Sequence, residues 1–122
     1  MAKKILVIDD DDAIQQVIKS ALVSEGYEVR IADDGKEGLK VVKEFQPDLI
    51  ILDIIMPVMD GLGFLKENKN RSIPVIILTS LGKDDNEQKF IDLGARHFLQ
   101  KSIVHVDDIK QKISDVLKEE SK

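Results

Sequence analysis

The chain predicts a three-layer α/β domain built on one parallel sheet, and three observations carry that prediction. Short apolar runs alternate with segments of helical periodicity five times over. Strands that alternate with helices imply a parallel sheet with helices on both faces. The runs at 49–52 and 75–78 are apolar throughout instead of alternating, as strands buried on both faces are. A length of 122 residues is that of one ordinary domain, so residues 1–122 read as a single unit.

The first strand spans residues 4–8, Lys-Ile-Leu-Val-Ile. The first helix follows, with Ile14, Val17, Ile18, Ala21 and Leu22 placed on one face. Asp11 or Asp12 serves as its N-cap, and Gly26 stands where a helix C-cap belongs. A short second strand, 28–32, runs into the turn Asp33-Asp34-Gly35. The second helix, 36–44, turns Leu39, Val42 and Phe45 inward. The third strand, 49–52, ends at Asp53, and the loop 56–61 (Met-Pro-Val-Met-Asp-Gly) leads to a third helix over 61–68 with Leu62 and Leu65. Arg71-Ser72-Ile73-Pro74 forms a turn before the fourth strand, 75–78, which ends in Thr79-Ser80. A fourth helix over 85–93 is closed by Gly94. A fifth strand at 97–99 and a fifth helix over 106–119, with Ile109, Ile113, Val116 and Leu117 on one face, complete the chain.

Composition narrows the function. The chain is 43% hydrophobic and 34% charged, which suits a soluble globular domain. There is no Cys, so disulfide and thiolate chemistry are excluded, in keeping with a reducing cytoplasm. No apolar run approaches the ~20 residues of a spanning helix, and Met1-Ala2-Lys3-Lys4 leads straight into a strand with no readable signal peptide. A net charge of -5, one Tyr and no Trp argue against a nucleic-acid-binding face.

In a parallel sheet all five strand tips lie along one edge, where ligands of open α/β sheets bind. Those tips carry Asp9-Asp10, Asp53, Thr79-Ser80 and Lys101. The flavodoxin-like strand order 2-1-3-4-5 would set the first and third tips side by side at its switch point. Three carboxylates in one small site repel one another, and a hard divalent cation such as Mg²⁺ is the natural remedy. Lys101 adds a compact positive charge, and Thr79 and Ser80 add donors. Such a set suits an incoming phosphoryl group, with a carboxylate as nucleophile and an aspartyl phosphate as product. The bland readings are helix caps for Asp9 and Asp10, a strand-end acid for Asp53 and a passive strand-end hydroxyl for Thr79. Asp11 and Asp12 read as cap and first-turn acids, not ligands. His97 and His105 read as surface residues, and Asp60-Gly61 as turn chemistry.

Over nearly its whole length the chain resembles a receiver domain of a two-component response regulator, with the chemotaxis-regulator fold. The resemblance rests on Ile8-Asp9-Asp10, the run 52–57 (Leu-Asp-Ile-Ile-Met-Pro), Met59-Asp60-Gly61, the run 74–80 (Pro-Val-Ile-Ile-Leu-Thr-Ser), and Gly94-Ala95 followed by Lys101. It implies that Asp53 is the phosphoacceptor, Asp10 a direct Mg²⁺ ligand, Asp9 a partner in the acidic pocket and the Ile55 backbone carbonyl a further ligand. It implies that Thr79 is the switch hydroxyl, that Lys101 pairs with the phosphoryl group, and that Phe98 is the switch aromatic. A histidine kinase or phosphotransfer protein would donate the phosphoryl group. A surface formed by the fourth helix, fifth strand and fifth helix would then control a downstream protein, or an output domain outside these 122 residues.

The chain departs from the family pattern in three places. Ser102 follows Lys101 where the family usually has Pro in a cis bond; a non-Pro cis bond costs roughly 2.5–4 kcal/mol, so trans is expected. Ile55 and Leu81, two residues beyond Asp53 and Thr79, are bulky and apolar, which predicts slow hydrolysis of the aspartyl phosphate. Two other functions compete. A Mg²⁺-dependent phosphohydrolase with an aspartyl nucleophile would want a second acid two residues after Asp53, where Ile55 stands. A receiver-like scaffold independent of phosphorylation would have no need of Asp10, Asp53, Thr79 and Lys101 together.

Overall fold

The structure is a computed structural model that describes residues 2–70, 72–80, 87–101 and 104–120. Five βα units follow one another: β1 (Lys4–Ile8), α1 (Asp12–Ser24), β2 (Glu28–Ala32), α2 (Gly35–Phe45), β3 (Leu49–Leu52), α3 (Gly61–Glu67), β4 (Val75–Thr79), α4 (Glu87–Asp92), β5 (Ala95–Gln100) and α5 (Val106–Glu120). The strands form one sheet in the order β2-β1-β3-β4-β5, and every pair is parallel. The expected flavodoxin-like architecture is therefore the one observed.

The period of two in a strand explains how a run of unbroken apolar residues serves two cores. Leu6, Ile8, Ile50, Leu52, Val75 and Ile77 point to one face and pack with residues such as Val42, Phe64 and Phe90 from α2, α3 and α4. Their neighbours Ile5, Val7, Leu49, Ile51, Ile76 and Leu78 point to the other, against Ile18 and Leu22 of α1 and Ile113 and Val116 of α5. The outer strand β5 is longer than expected, because Arg96 and Gln100 dilute its apolar signal while its backbone still pairs with β4.

Local chemistry sets the element ends. Asp11 caps α1 by accepting from the backbone N–H groups of Ala13 and Ile14. Gly26, at φ 91°, turns the chain out of α1, and Gly94, at φ 111°, does the same after α4. Asp34 and Asp60 cap α2 and α3. One helix face needs correction. Val17, expected inward, is 51% exposed, while Gln15 is buried. At 100° per residue Gln15, Ile18 and Leu22 fall within one narrow sector, and Val17 lies well outside it. The expected start of the fourth helix at 85–86, Leu81 and the Lys101-Ser102 bond lie outside the described residues.

Candidate functional site

The sheet order brings the ends of β1 and β3 together, and backbone hydrogen bonds hold them there. The Asp53 N–H donates to the Ile8 carbonyl at 2.9 Å, and the Asp9 N–H donates to the Ala32 carbonyl at 3.1 Å. On the other flank, the Lys101 N–H donates to the Thr79 carbonyl at 2.8 Å, which places the lysine at the tip of β4. Three carboxylates meet as a result: oxygens of Asp9, Asp10 and Asp53 all lie within 4.8 Å of one another. Asp9 and Asp53 are 2% and 5% exposed, and Asp10 is open to solvent.

Lys101 bridges the two buried members of this acidic group. Its Nζ lies 2.7 Å from Asp9 Oδ2 and 3.2 Å from Asp53 Oδ2. The second oxygen of Asp9 accepts from the Asp11 N–H at 3.0 Å, and Asp53 Oδ1 accepts from the Ile55 N–H at 3.4 Å. Burial raises the Asp9 carboxyl above its ordinary value, and the Lys101 bond offsets only part of that rise. Burial alone would lower the Lys101 pKa; the bonds to and charges of Asp9 and Asp53 outweigh it and hold the ammonium above its ordinary value. The pair is therefore a cation fixed by carboxylates, one of which pays a desolvation cost for being ionised.

Thr79 is fully buried at the end of β4. Phe98 is buried too, and its ring stacks on that of Phe90 with centroids 6.0 Å apart. Ile55, two residues past Asp53, is 55% exposed, and no acid stands there to protonate a leaving group. Among the described residues, Asp9, Asp10, Asp53, Ile55, Thr79 and Lys101 thus lie at this sheet edge, and Phe98 lies in the core just below it. Sequence reasoning missed Gln15 and Asp33. Gln15 Nε2 donates to the Asp9 carbonyl and, at 2.7 Å, to Asp33 Oδ1. A polar residue set among Ile14, Ile18 and Leu22, one turn after the acidic pair, was the signal available.

A doubly wound sheet with an acidic pocket and a lysine at its C-terminal edge defines the receiver class of signalling domains. Residues 5–114 match the family described as the response regulator receiver domain, and the chain belongs to that family of two-component signalling. A CheY-like response regulator receiver domain from Methanospirillum hungatei superposes with a TM-score of 0.93 at 32% identity, covering 99% of this chain and 98% of that one. The chemotaxis protein CheY4 of Vibrio cholerae gives 0.87 at 31% identity over 95% and 99%. A probable transcriptional regulator, ycf27, of Cyanophora paradoxa is 40% identical over 81% of this chain and 42% of its own length. The alkaline phosphatase synthesis transcriptional regulatory protein PhoP of Bacillus subtilis is 35% identical over 83% and 43%. The chain thus spans under half the length of these curated relatives.

Proposed function

We propose that this receiver is a Mg²⁺-dependent switch whose phosphoacceptor is Asp53, that residues 1–122 act as one unit, and that it works in the cytoplasm with a histidine kinase or phosphotransfer protein as donor. The observation that supports this best is the convergence of Asp9, Asp10 and Asp53 within 4.8 Å of one another, with the ammonium of Lys101 on Asp9 and Asp53. An oxygen-only donor set with two buried acids fits a hard divalent cation. Asp10, Asp53 and the Ile55 carbonyl would hold it, with Asp9 beside them. Bound Mg²⁺ would supply positive charge to the carboxylates and to the phosphoryl oxygens. In the reaction an oxygen of Asp53 attacks phosphorus, the bond from phosphorus to the donor's imidazole nitrogen breaks, and the electron pair leaves with that nitrogen. Lys101 then exchanges a carboxylate oxygen for a phosphoryl oxygen, and the Thr79 hydroxyl donates to another. Movement of Thr79 opens room beside β4 that Phe98 senses, which biases the surface of α4, β5 and α5 towards its partner. That partner is a downstream protein or the output half of a longer regulator.

The deciding experiment is incubation with acetyl phosphate, with and without Mg²⁺, followed by intact mass. A stable adduct that needs Mg²⁺ and is lost in Asp53→Asn supports the switch. Steady turnover of acetyl phosphate would favour the hydrolase, and no response would favour the scaffold.

Two further results are expected. Mg²⁺ at ten times its Kd should stabilise the fold by about 1.4 kcal/mol, a rise in Tm of roughly 4–8 °C for a chain of this size, reversed by EDTA. The gain should depend on pH through Asp9. Its raised folded pKa means that its contribution to metal-free stability is full below 3.8 and is lost as pH rises through the folded value. The gap between melts in Mg²⁺ and in EDTA should therefore narrow on acidification through that window, and a gap independent of pH would count against Asp9 as part of the metal pocket. Lys101 is of the opposite charge type, and its contribution is lost only as pH rises through a value above 10.5. The second result concerns hydrolysis. Ile55→Asn replaces an apolar side chain with one that can orient water, and the adduct's lifetime should fall about tenfold, or about 1.4 kcal/mol in the barrier. Decay of the intact-mass adduct measures it, and an unchanged lifetime refutes a shielding role for Ile55.

A further inference from the structure

We infer that Gln15 and Asp33 form a positioning clamp that sets the metal-binding geometry of Asp10, an inference that rests on the Mg²⁺ reading of the site. Gln15 is 5% exposed, in the first turns of α1. Its two partners, a backbone carbonyl and a carboxylate, can only accept, so the amide nitrogen must face both. One hydrogen bond goes to the Asp9 carbonyl. Peptide planarity places that oxygen in one plane with the nitrogen and Cα of Asp10. Gripping it therefore fixes the peptide plane from which the exposed Asp10 side chain leaves the backbone. Asp9 has its own side-chain ties, to Asp11 and Lys101, so Asp10 is the acid whose placement depends most on its backbone.

The other end of the clamp is built to be rigid. The Asp33 N–H donates to Glu37 Oε2 at 3.2 Å, and the Glu37 N–H donates to Asp34 Oδ1 at 2.9 Å, so the first turn of α2 fixes the turn that carries Asp33. The next residue but one, Gly35, donates its N–H to the Met59 carbonyl at 2.8 Å. One chain of hydrogen bonds therefore joins the loops after β1, β2 and β3. Two of those loops carry the acids, and the middle one, which carries none of them, sets their spacing through Gln15. Groups that orient metal ligands in this indirect way tune metal affinity.

The test is calorimetric titration with Mg²⁺, alongside phosphorylation by acetyl phosphate at low and saturating Mg²⁺. Gln15→Leu keeps the buried volume and removes both donors; its Mg²⁺ Kd should rise about tenfold. Its phosphorylation rate should fall at low Mg²⁺ and recover at saturation, which a general loss of structure would not produce. Asp33→Ala should act in the same direction, whereas Asp33→Asn, which keeps an accepting oxygen, should stay near the wild-type Kd. The double variant Gln15→Leu/Asp33→Ala should be no worse than Gln15→Leu. A wild-type Kd in Gln15→Leu overturns the clamp, as does Asp33→Asn matching Asp33→Ala, since that would reduce Asp33 to a remote charge. If Gln15→Leu fails to fold, the two Asp33 variants, on an exposed turn, decide the matter alone. If the wild-type protein itself binds no Mg²⁺, both the clamp and the reading of the site fall; if it binds and the variants bind equally well, only the clamp does.

Discussion

Asp53→Asn is expected to abolish the phosphoryl adduct outright while leaving the fold intact. The amide has the volume and shape of the carboxylate, and the site is buried, so packing changes little. The proposed nucleophile is lost because an uncharged amide oxygen does not attack phosphorus as a carboxylate does. Stability should not suffer. The wild-type site sets three carboxylates within 4.8 Å of one another against one ammonium, and removing one charge relieves repulsion while Lys101 keeps its 2.7 Å contact with Asp9. Melts in EDTA should therefore place the variant's Tm at or above that of the wild-type protein. Mg²⁺ should stabilise the variant less, because one of the proposed charged ligands is gone. An adduct of undiminished yield on Asp53→Asn would mean that another acid in this cluster, Asp9 or Asp10, takes the phosphoryl group.

This expectation was open to the sequence because its parts are local. A strand whose apolar run stops at an acid declares both its burial and the place of that acid, as 49–53 and 4–10 do. Periodicity then gave the order of the elements, and the parallel sheet put the tips on one edge. What the sequence does not display depends on distances through space. Lys101 bridges two acids at once, which no spacing announces. Gln15 is polar and Val17 apolar, yet the packing of α1 buries the first and exposes the second. Val58, β-branched and exposed, adopts a left-handed φ of 68° in the loop after β3, a conformation that such residues rarely take and that nothing in Met-Pro-Val-Met foretells. The edges of β5 lie beyond the expected 97–99 for a related reason. Hydropathy sees side chains, whereas the ladder is made by backbone groups that polar residues possess equally.

The same loop supplies the second large effect, at Gly61. This residue opens α3 directly against the end of β3, and a Cβ there would lie 2.4 Å from the Asp53 carbonyl oxygen and 2.8 Å from Ile54 Cα. Both are backbone atoms and neither can rotate away. The Asp53 N–H is held by the Ile8 carbonyl, and the Gly61 N–H donates to the Ile54 carbonyl at 2.9 Å, so relief requires α3 to lift or the peptide after Asp53 to turn. Gly61→Ala should then cost about 1–3 kcal/mol of stability by overpacking. It should also slow phosphoryl acceptance by about 100-fold if Asp53 shifts by near 1 Å. Gly63→Ala, two residues on, is the control. Its Cβ would meet only side-chain atoms, Met59 Cγ at 3.0 Å and Asp60 Oδ1 at 3.3 Å, and Ala in place of Gly in a helix offsets that by up to about 1 kcal/mol. Urea unfolding and the acetyl phosphate rate, measured on both variants, separate the two. Were Gly61→Ala to behave like Gly63→Ala on both measures, the close approach of α3 to Asp53 would have no part in setting the nucleophile.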